Sequence, residues 1–289
     1  MPFVLKICLI IISSLFFASC NNNEKDNLVT ISTIYGDMHL ILFDETPKHK
    51  ENFIKIAKEN KYDSTVFHRV IQDFMIQGGD VNAKEGTQDA ITHTVPAEIK
   101  QHLIHEKGAV AAARQGDQIN PKKASSGDQF YIVKGKTFTA QELDELESTQ
   151  NSYRTQYQFS ELLKKPEYAD LRKELIEMQN QGNFEAIQAK LEESKPLLEK
   201  EFGKQEEIKF NEVQRTAYTT VGGTPHLDRE YTVFGKVISG MAVIDSIANQ
   251  RTAPGDRPLE NIYMTVDVQE LPKDEITRRY GYEYPQEVD

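Results

Sequence analysis

The densest mix of chemically capable groups is Phe67-His68-Arg69-Val70-Ile71-Gln72-Asp73-Phe74-Met75-Ile76-Gln77-Gly78-Gly79-Asp80. It sets one guanidinium, Arg69, and one carboxamide, Gln77, among large apolar side chains. On a regular strand Phe67, Arg69 and Ile71 share one face, and His68 and Val70 share the other. Gln72-Asp73 then bends the chain, and Gly78-Gly79 permits positive φ or close backbone approach. An Arg on a strand is most often a plain surface charge. Among Phe, Met and Gln it describes instead an apolar pocket holding a fixed cation, where a donated hydrogen bond is strengthened by the absence of water.

Other chemistries find little support. His102 and His105 lie three apart with Glu106 next, a superficial likeness to zinc ligands. The order is not that of the two-histidine protease motifs and no third ligand cluster is evident, so both are expected to be solvent-exposed or capping residues, and no metal is expected. There is no G-x-S-x-G elbow, Walker loop or G-x-G-x-x-G, and Gly222-Gly223 before Thr224-Pro225 reads as a turn. Asp73 and Asp80 fall where turns favour Asp in any case. No cofactor is expected.

These residues must be held by short strands. From Leu28 apolar and polar residues alternate, with Val29, Ile31, Thr33 and Tyr35 on one face, Gly36-Asp37 as a turn, and Met38, Leu40 and Leu42 returning; this pattern predicts a hairpin. Thr46-Pro47 predicts a capped helix running to Asn60. Further strand-like runs cover 65–71, 74–77, 108–113, 129–133, 231–237 and 261–268, with a second helix over 241–248. Many short strands and two helices predict a mainly β fold, a closed antiparallel barrel capped at its ends. Between 139 and 216 the alternation gives way to apolar residues three and four apart, such as Leu171, Leu175 and Met178, then Phe184, Ile187 and Leu191. This segment is expected to form amphipathic helices broken at Pro166, Gly182-Asn183, Pro196 and Gly203, an insert with an apolar stripe barely wide enough for its own core.

Four ordered blocks carry a family resemblance: 67–80, then Gly108-Ala109-Val110-Ala111-Ala112-Ala113-Arg114, then Ser125-Ser126-Gly127-Asp128-Gln129-Phe130-Tyr131-Ile132, then Leu227-Asp228-Arg229-Glu230-Tyr231-Thr232-Val233-Phe234-Gly235-Lys236-Val237. Together they resemble the cyclophilin family of peptidyl-prolyl cis/trans isomerases, over about 28–133 and 217–271. The resemblance implies an eight-stranded barrel and assigns site residues. Arg69 matches the catalytic arginine, Phe67 and His68 its flanking pair, Phe74 and Met75 the floor of a proline pocket, and Gln77 the glutamine that holds the substrate backbone. Ala113 and Arg114 match the stretch whose backbone holds the residue before proline, and Gln129 and Tyr131 match a polar and an aromatic wall. Leu227 lines the pocket and Tyr231 replaces a common His. His226 stands where cyclosporin-sensitive members carry Trp, which implies weak inhibitor binding.

The implied reaction breaks no bond. Rotation about an X-Pro amide meets a barrier of about 18–20 kcal/mol because nitrogen–carbonyl resonance is lost. A catalyst that favours the twisted amide by about 5–7 kcal/mol gains roughly ten thousand to a hundred thousand in rate. The rival from another class is a non-catalytic chaperone or scaffold module that uses the helical insert as its binding surface.

The 289 residues carry 34 basic and 45 acidic side chains, a net charge of −11, which argues against a sequence-independent grip on nucleic acid. A monomer is expected. Lys6 precedes an uncharged run over 7–17, the length of an export-signal core and too short to span a bilayer of about 30 Å. Phe17-Ala18-Ser19-Cys20 then resembles a bacterial lipobox, with Phe in place of the usual Leu at its first position. Residues 1–19 are thus expected to be a lipoprotein signal peptide, Cys20 the lipidated residue, and 20–27 a polar tether. Barrel follows over 28–138, the insert over 139–216, barrel again over 217–271 and a tail over 272–289. After cleavage 33 basic and 45 acidic residues would remain, a net of −12, with Cys20 the sole cysteine and no disulfide possible. The expected place is the cell envelope, anchored to a membrane, and the expected partners are proline-containing unfolded or loop segments of other exported proteins.

Overall fold

Val29 and Ile31 on one strand and Met38 and Leu40 on the next are fully buried, the period-two burial that lets a strand line a closed core. In the computed structural model, which describes residues 24–84 and 90–285, the strands are β1 (Lys25–Thr33), β2 (Gly36–Leu42), β3 (Thr65–Ile71), β4 (Met75–Gly78), β5 (Thr94–Val95), β6 (Ala109–Ala112), β7 (Ser125–Ser126), β8 (Phe130–Val133), β9 (Val233–Ser239) and β10 (Tyr263–Pro272). Eight of them close an antiparallel barrel in the order β1-β10-β3-β4-β8-β6-β9-β2, and β5 pairs with β7 outside it. The helices are α1 (Pro47–Lys58), α2 (Ala140–Lys164), α3 (Ala169–Asn180), α4 (Phe184–Glu193), α5 (Lys195–Phe202), α6 (Glu212–Thr220), α7 (Met241–Ala248) and α8 (Lys273–Tyr280). Helices α1 and α7 add Phe53, Ile56, Ile244 and Ile247 to the barrel core.

The expected barrel with two capping helices is what the chain forms, with local differences. The first hairpin turns at Ile34-Tyr35, so Gly36, expected in the turn, opens β2 with φ +118°. Thr46 does not cap α1 with its side chain. Its hydroxyl donates to the Phe43 carbonyl, and the free N–H groups of Lys48 and His49 donate instead to the Glu98 carboxylate at 3.3 and 3.1 Å. A capping partner fifty residues away leaves no trace in the local pattern.

The tether expected to reach residue 27 gives way to strand at Lys25. Strand β10 runs on to Pro272 and pairs with Lys25, Asp26 and Asn27, and Asp26 is buried against Lys50 at 2.7 Å. The tail, to which the sequence assigned no element, is anchored: α8 buries Ile276, and Tyr280, Tyr282 and Tyr284 pack over Leu28, Ile41 and Leu271.

The insert begins at a capping box, in which the Glu142 N–H donates to the Thr139 hydroxyl and the Thr139 N–H to the Glu142 carboxylate. Its apolar stripe makes a small core of Phe159, Leu162, Leu175, Leu191 and Leu198, separate from that of the barrel. Its last helix, α6, continues to Thr220, past the expected boundary at 216. There Tyr218 packs with Leu143 and Phe210 at the junction with the barrel.

Candidate active site

The site is built on the outer face of β3, β4, β8, β6 and β9. Ile76, Ile132 and Val110 point into the barrel, so their strand neighbours point out. Across the strands the register aligns Arg69 with Gln77, Gln77 with Tyr131, Tyr131 with Ala111, and Ala111 with Val233. These five residues form one transverse row. Its Tyr131, Ala111 and Val233 belong to an apolar cluster with Met75, Ala109 and Val133, joined by Phe74, Ala113, Leu227 and Tyr231 from the adjoining segments.

Phe67 is not part of this face. The pairing of β3 with β4 shifts between Phe67 and Arg69, a bulge at His68 that breaks the alternation and turns Phe67 inward with Val70. Phe67, 1% exposed, therefore packs edge-on against Phe130 in the barrel core and cannot grip a substrate ring. His68 is half-buried, and burial holds its pKa below the ordinary imidazole value against the pull of Asp80. Gly79 follows with φ +83°, where a Cβ would stand 2.8 Å from the Asp128 carbonyl oxygen and the Phe130 ring.

Arg69 stays accessible, with 42% of its side chain exposed. Its Nε donates to Asp256 at 3.3 Å, across 187 residues of chain. The polar row is a relay in which Gln77 Nε2 donates to the Gln129 side-chain Oε1 at 3.0 Å and Gln129 Nε2 donates to the Asp80 carboxylate at 3.1 Å. Asp80, expected only as a turn residue, thus orients both carboxamides.

Ala113 donates its N–H to the Gln129 carbonyl and accepts from the Ser126 N–H, so its peptide groups are engaged within the fold and its part is to place Arg114. The Arg114 side chain is buried. It lies 4.6 Å from the centre of the Tyr231 ring, and it donates to the Glu230 carbonyl and carboxylate and to Asp117. It fixes Tyr231 as a wall. His226 stacks on Phe74 with centroids 5.4 Å apart, and burial, with His105 nearby, keeps its pKa low.

His102 and His105 do not converge on a metal. His102 is exposed and paired with Glu45, Glu106 is paired with Lys236, and His105 is wholly buried instead of standing as the exposed or capping residue expected. Among the described residues no group of three or more His, Cys, Asp or Glu side chains could hold a metal ion. The His105 ring stacks beside Tyr131, with Nε2 3.0 Å from the Tyr131 hydroxyl and Nδ1 2.9 Å from Asp228. Burial pushes the Tyr131 phenol well above its ordinary pKa, so the hydroxyl keeps its proton. Gly223 permits this close assembly, since a Cβ there would meet the His105 carbonyl oxygen at 2.2 Å.

The family model described as "Cyclophilin type peptidyl-prolyl cis-trans isomerase/CLD" matches residues 28–160 and 209–268. The chain belongs to the cyclophilin family. The interruption of the match falls within the helical insert, and the cyclophilin reaction class, peptidyl-prolyl cis-trans isomerisation, comes with the family. A Streptococcus pyogenes protein whose name pairs a phosphatase with a peptidyl-prolyl cis-trans isomerase is 33% identical over 85% of this chain and 39% of its own length. This chain thus spans well under half of that relative. A Staphylococcus aureus protein named as a peptidyl-prolyl cis-trans isomerase is 30% identical over 84% of this chain and 91% of its own length. A solved cyclophilin-type structure from Cryptosporidium parvum aligns with 85% of this chain and 98% of that one at 19% identity, with a TM-score of 0.49.

Proposed function

We propose that this cyclophilin accelerates X-Pro rotation by a hydrogen bond from the Arg69 guanidinium to the proline nitrogen. In the planar amide that lone pair is delocalised into the carbonyl; as the amide twists it localises and becomes an acceptor, so the bond strengthens only toward the transition state. With Nε held by Asp256, the two terminal nitrogens of Arg69 are left for substrate. Phe74 and Leu227, which stay partly exposed, meet the proline ring, backed by the buried Met75 and Tyr131, while Gln77 and the backbone at Arg114 hold the flanking peptide still. The observation that carries this reading is the transverse row that sets Arg69 and Gln77 against Tyr131 and its apolar cluster. Turnover of a short X-Pro peptide by the wild type and by Arg69→Ala tests it.

We further propose that the clients are extended proline-containing segments of exported proteins, met at a membrane surface. The apolar run over 7–17 and the small residues before Cys20 support export and lipidation; both lie outside the described residues. Cys20 stands five residues before the first strand, a reach of at most about 18 Å fully extended, so an anchor there would hold the barrel close to its membrane. Incorporation of labelled fatty acid that is lost in Cys20→Ala tests the anchor. A second reading, that the insert grips clients, is favoured by Tyr153, Tyr157 and Phe184, which are 71%, 55% and 73% exposed on its helices.

A further inference from the structure

Behind the pocket wall lies a buried polar chain that the isomerisation scheme does not use. Asp228 accepts three hydrogen bonds: from the His105 N–H at 2.9 Å, from His105 Nδ1 at 2.9 Å and from the Tyr218 hydroxyl at 2.7 Å. A carboxylate only accepts, so Nδ1 carries a ring proton, and Nε2 lies within hydrogen-bond reach of the Tyr131 hydroxyl at 3.0 Å. His105 and Tyr218 are both 0% exposed. The four groups therefore form a continuous series from Tyr218, on the helix that returns the chain from the insert, to Tyr131 in the substrate pocket.

The geometry points to His105 and Asp228 as positioning residues, and to Tyr218 as the anchor through which the base of the insert sets the pocket wall. The Tyr131 ring could pivot in an apolar cluster, and the hydrogen bond between its hydroxyl and His105 removes that freedom. Tyr231 stands edge-on to both rings, at 84° to Tyr131 and 83° to His105, so a shift of either ring displaces this second wall as well. Asp228 directly follows Leu227 and the short turn Pro225–Leu227, so the same carboxylate also fixes that part of the pocket lining. Tyr218 in turn packs edge-on against Phe210 beside Leu143 of α2, so its hydroxyl is placed by the insert's own first and last helices.

This inference rests on the proposed reading of the pocket as the X-Pro site. A fixed wall grips the proline ring equally in the planar and twisted amide, so loosening it raises KM and leaves kcat unchanged. The test is a double-mutant cycle of Tyr218→Phe and Tyr131→Phe on the full chain, with KM and kcat for a short X-Pro peptide and a melting curve for each variant. Tyr218→Phe is expected to raise KM about threefold to tenfold at wild-type kcat, and the double variant to be no worse than Tyr131→Phe alone, because both cut one series. A lower melting temperature with wild-type KM, or two effects that simply multiply, would overturn the inference while leaving the isomerase reading intact. An inactive wild type would sink that reading itself. Should Tyr218→Phe fold poorly, Asp228→Asn interrupts the same series, and an unchanged KM there counts against it equally.

Discussion

Arg69 is held by Asp256 both directly and through its neighbour: Nε of Arg69 donates to the Asp256 carboxylate at 3.3 Å, and the Asp256 carbonyl accepts from the N–H of Val70 at 2.8 Å. Asp256 has φ +63°, a left-handed conformation that Asp and Asn tolerate better than most side chains. One loop residue thus fixes both the strand that carries the guanidinium and the direction in which the guanidinium points.

Asp256→Ala should therefore lower kcat with little change in KM. Both side chains are nearly half-exposed, so the pair is screened by water and the loss should be modest, about twofold to fivefold. Asp256→Asn, which keeps an acceptor and suits the backbone, should recover most of it. Separate measurement of kcat and KM checks this, and a wild-type kcat in Asp256→Ala would rule out the orienting role.

Phe67 and Phe74 lie seven residues apart in one motif and should behave as different kinds of residue. Phe67→Leu is expected to destabilise the fold by about 1–3 kcal/mol, because it trims a side chain fully enclosed in the barrel, with normal turnover per folded molecule. Phe74→Leu should leave the melting temperature nearly unchanged and raise KM. Thermal melts beside peptide kinetics separate the two, and the opposite assignment would mean that the bulge at His68 does not turn Phe67 inward.

That pair shows how far the chain could be read in advance. The barrel was legible because strands such as β1 and β2 alternate apolar and polar residues, α1 because of its Pro start, and α7 because of its apolar spacing. The face assignment of Phe67 was not, since a single bulged residue inverts the alternation and leaves no compositional mark. Long-range partners were equally hidden. Asp256 serves Arg69 across 187 residues and Glu98 caps a helix fifty residues before it. His105 resembled a stray surface histidine because its partners, Asp228 and Tyr131, lie in other blocks of sequence.

Two histidines should make stability fall in mild acid. Burial lowers the pKa of His49, against the pull of Glu98, and likewise lowers that of His68. Below about pH 6.5 the unfolded chain therefore binds more protons than the folded one, so stability is fully present above that value and declines as pH falls toward the folded pKa values. His49 is the best placed to report it, buried between Glu98 at 2.7 Å and the Ser125 hydroxyl at 2.9 Å. Urea unfolding between pH 5 and 7 should show this slope, reduced in His49→Gln; a slope unchanged in that variant would contradict the assignment.

If the insert grips clients, replacing Tyr153, Tyr157 and Phe184 by Ser should leave turnover of short X-Pro peptides unchanged, since all three are exposed and none belongs to the apolar cluster around Tyr131. The same variant should lose the ability to slow aggregation of an unfolded protein. Equal protection by variant and wild type would remove the insert from that role.

The most direct measurement is the isomerisation rate of a short X-Pro peptide by the wild type, Arg69→Lys and Arg69→Ala, read by a coupled protease that cleaves only the trans form. Removal of a donor aimed at the developing lone pair should cost Arg69→Ala about a hundredfold to a thousandfold in kcat/KM. Lysine, which keeps the charge but not the planar fork, should recover only a small part. Equal rates for all three proteins would contradict the account.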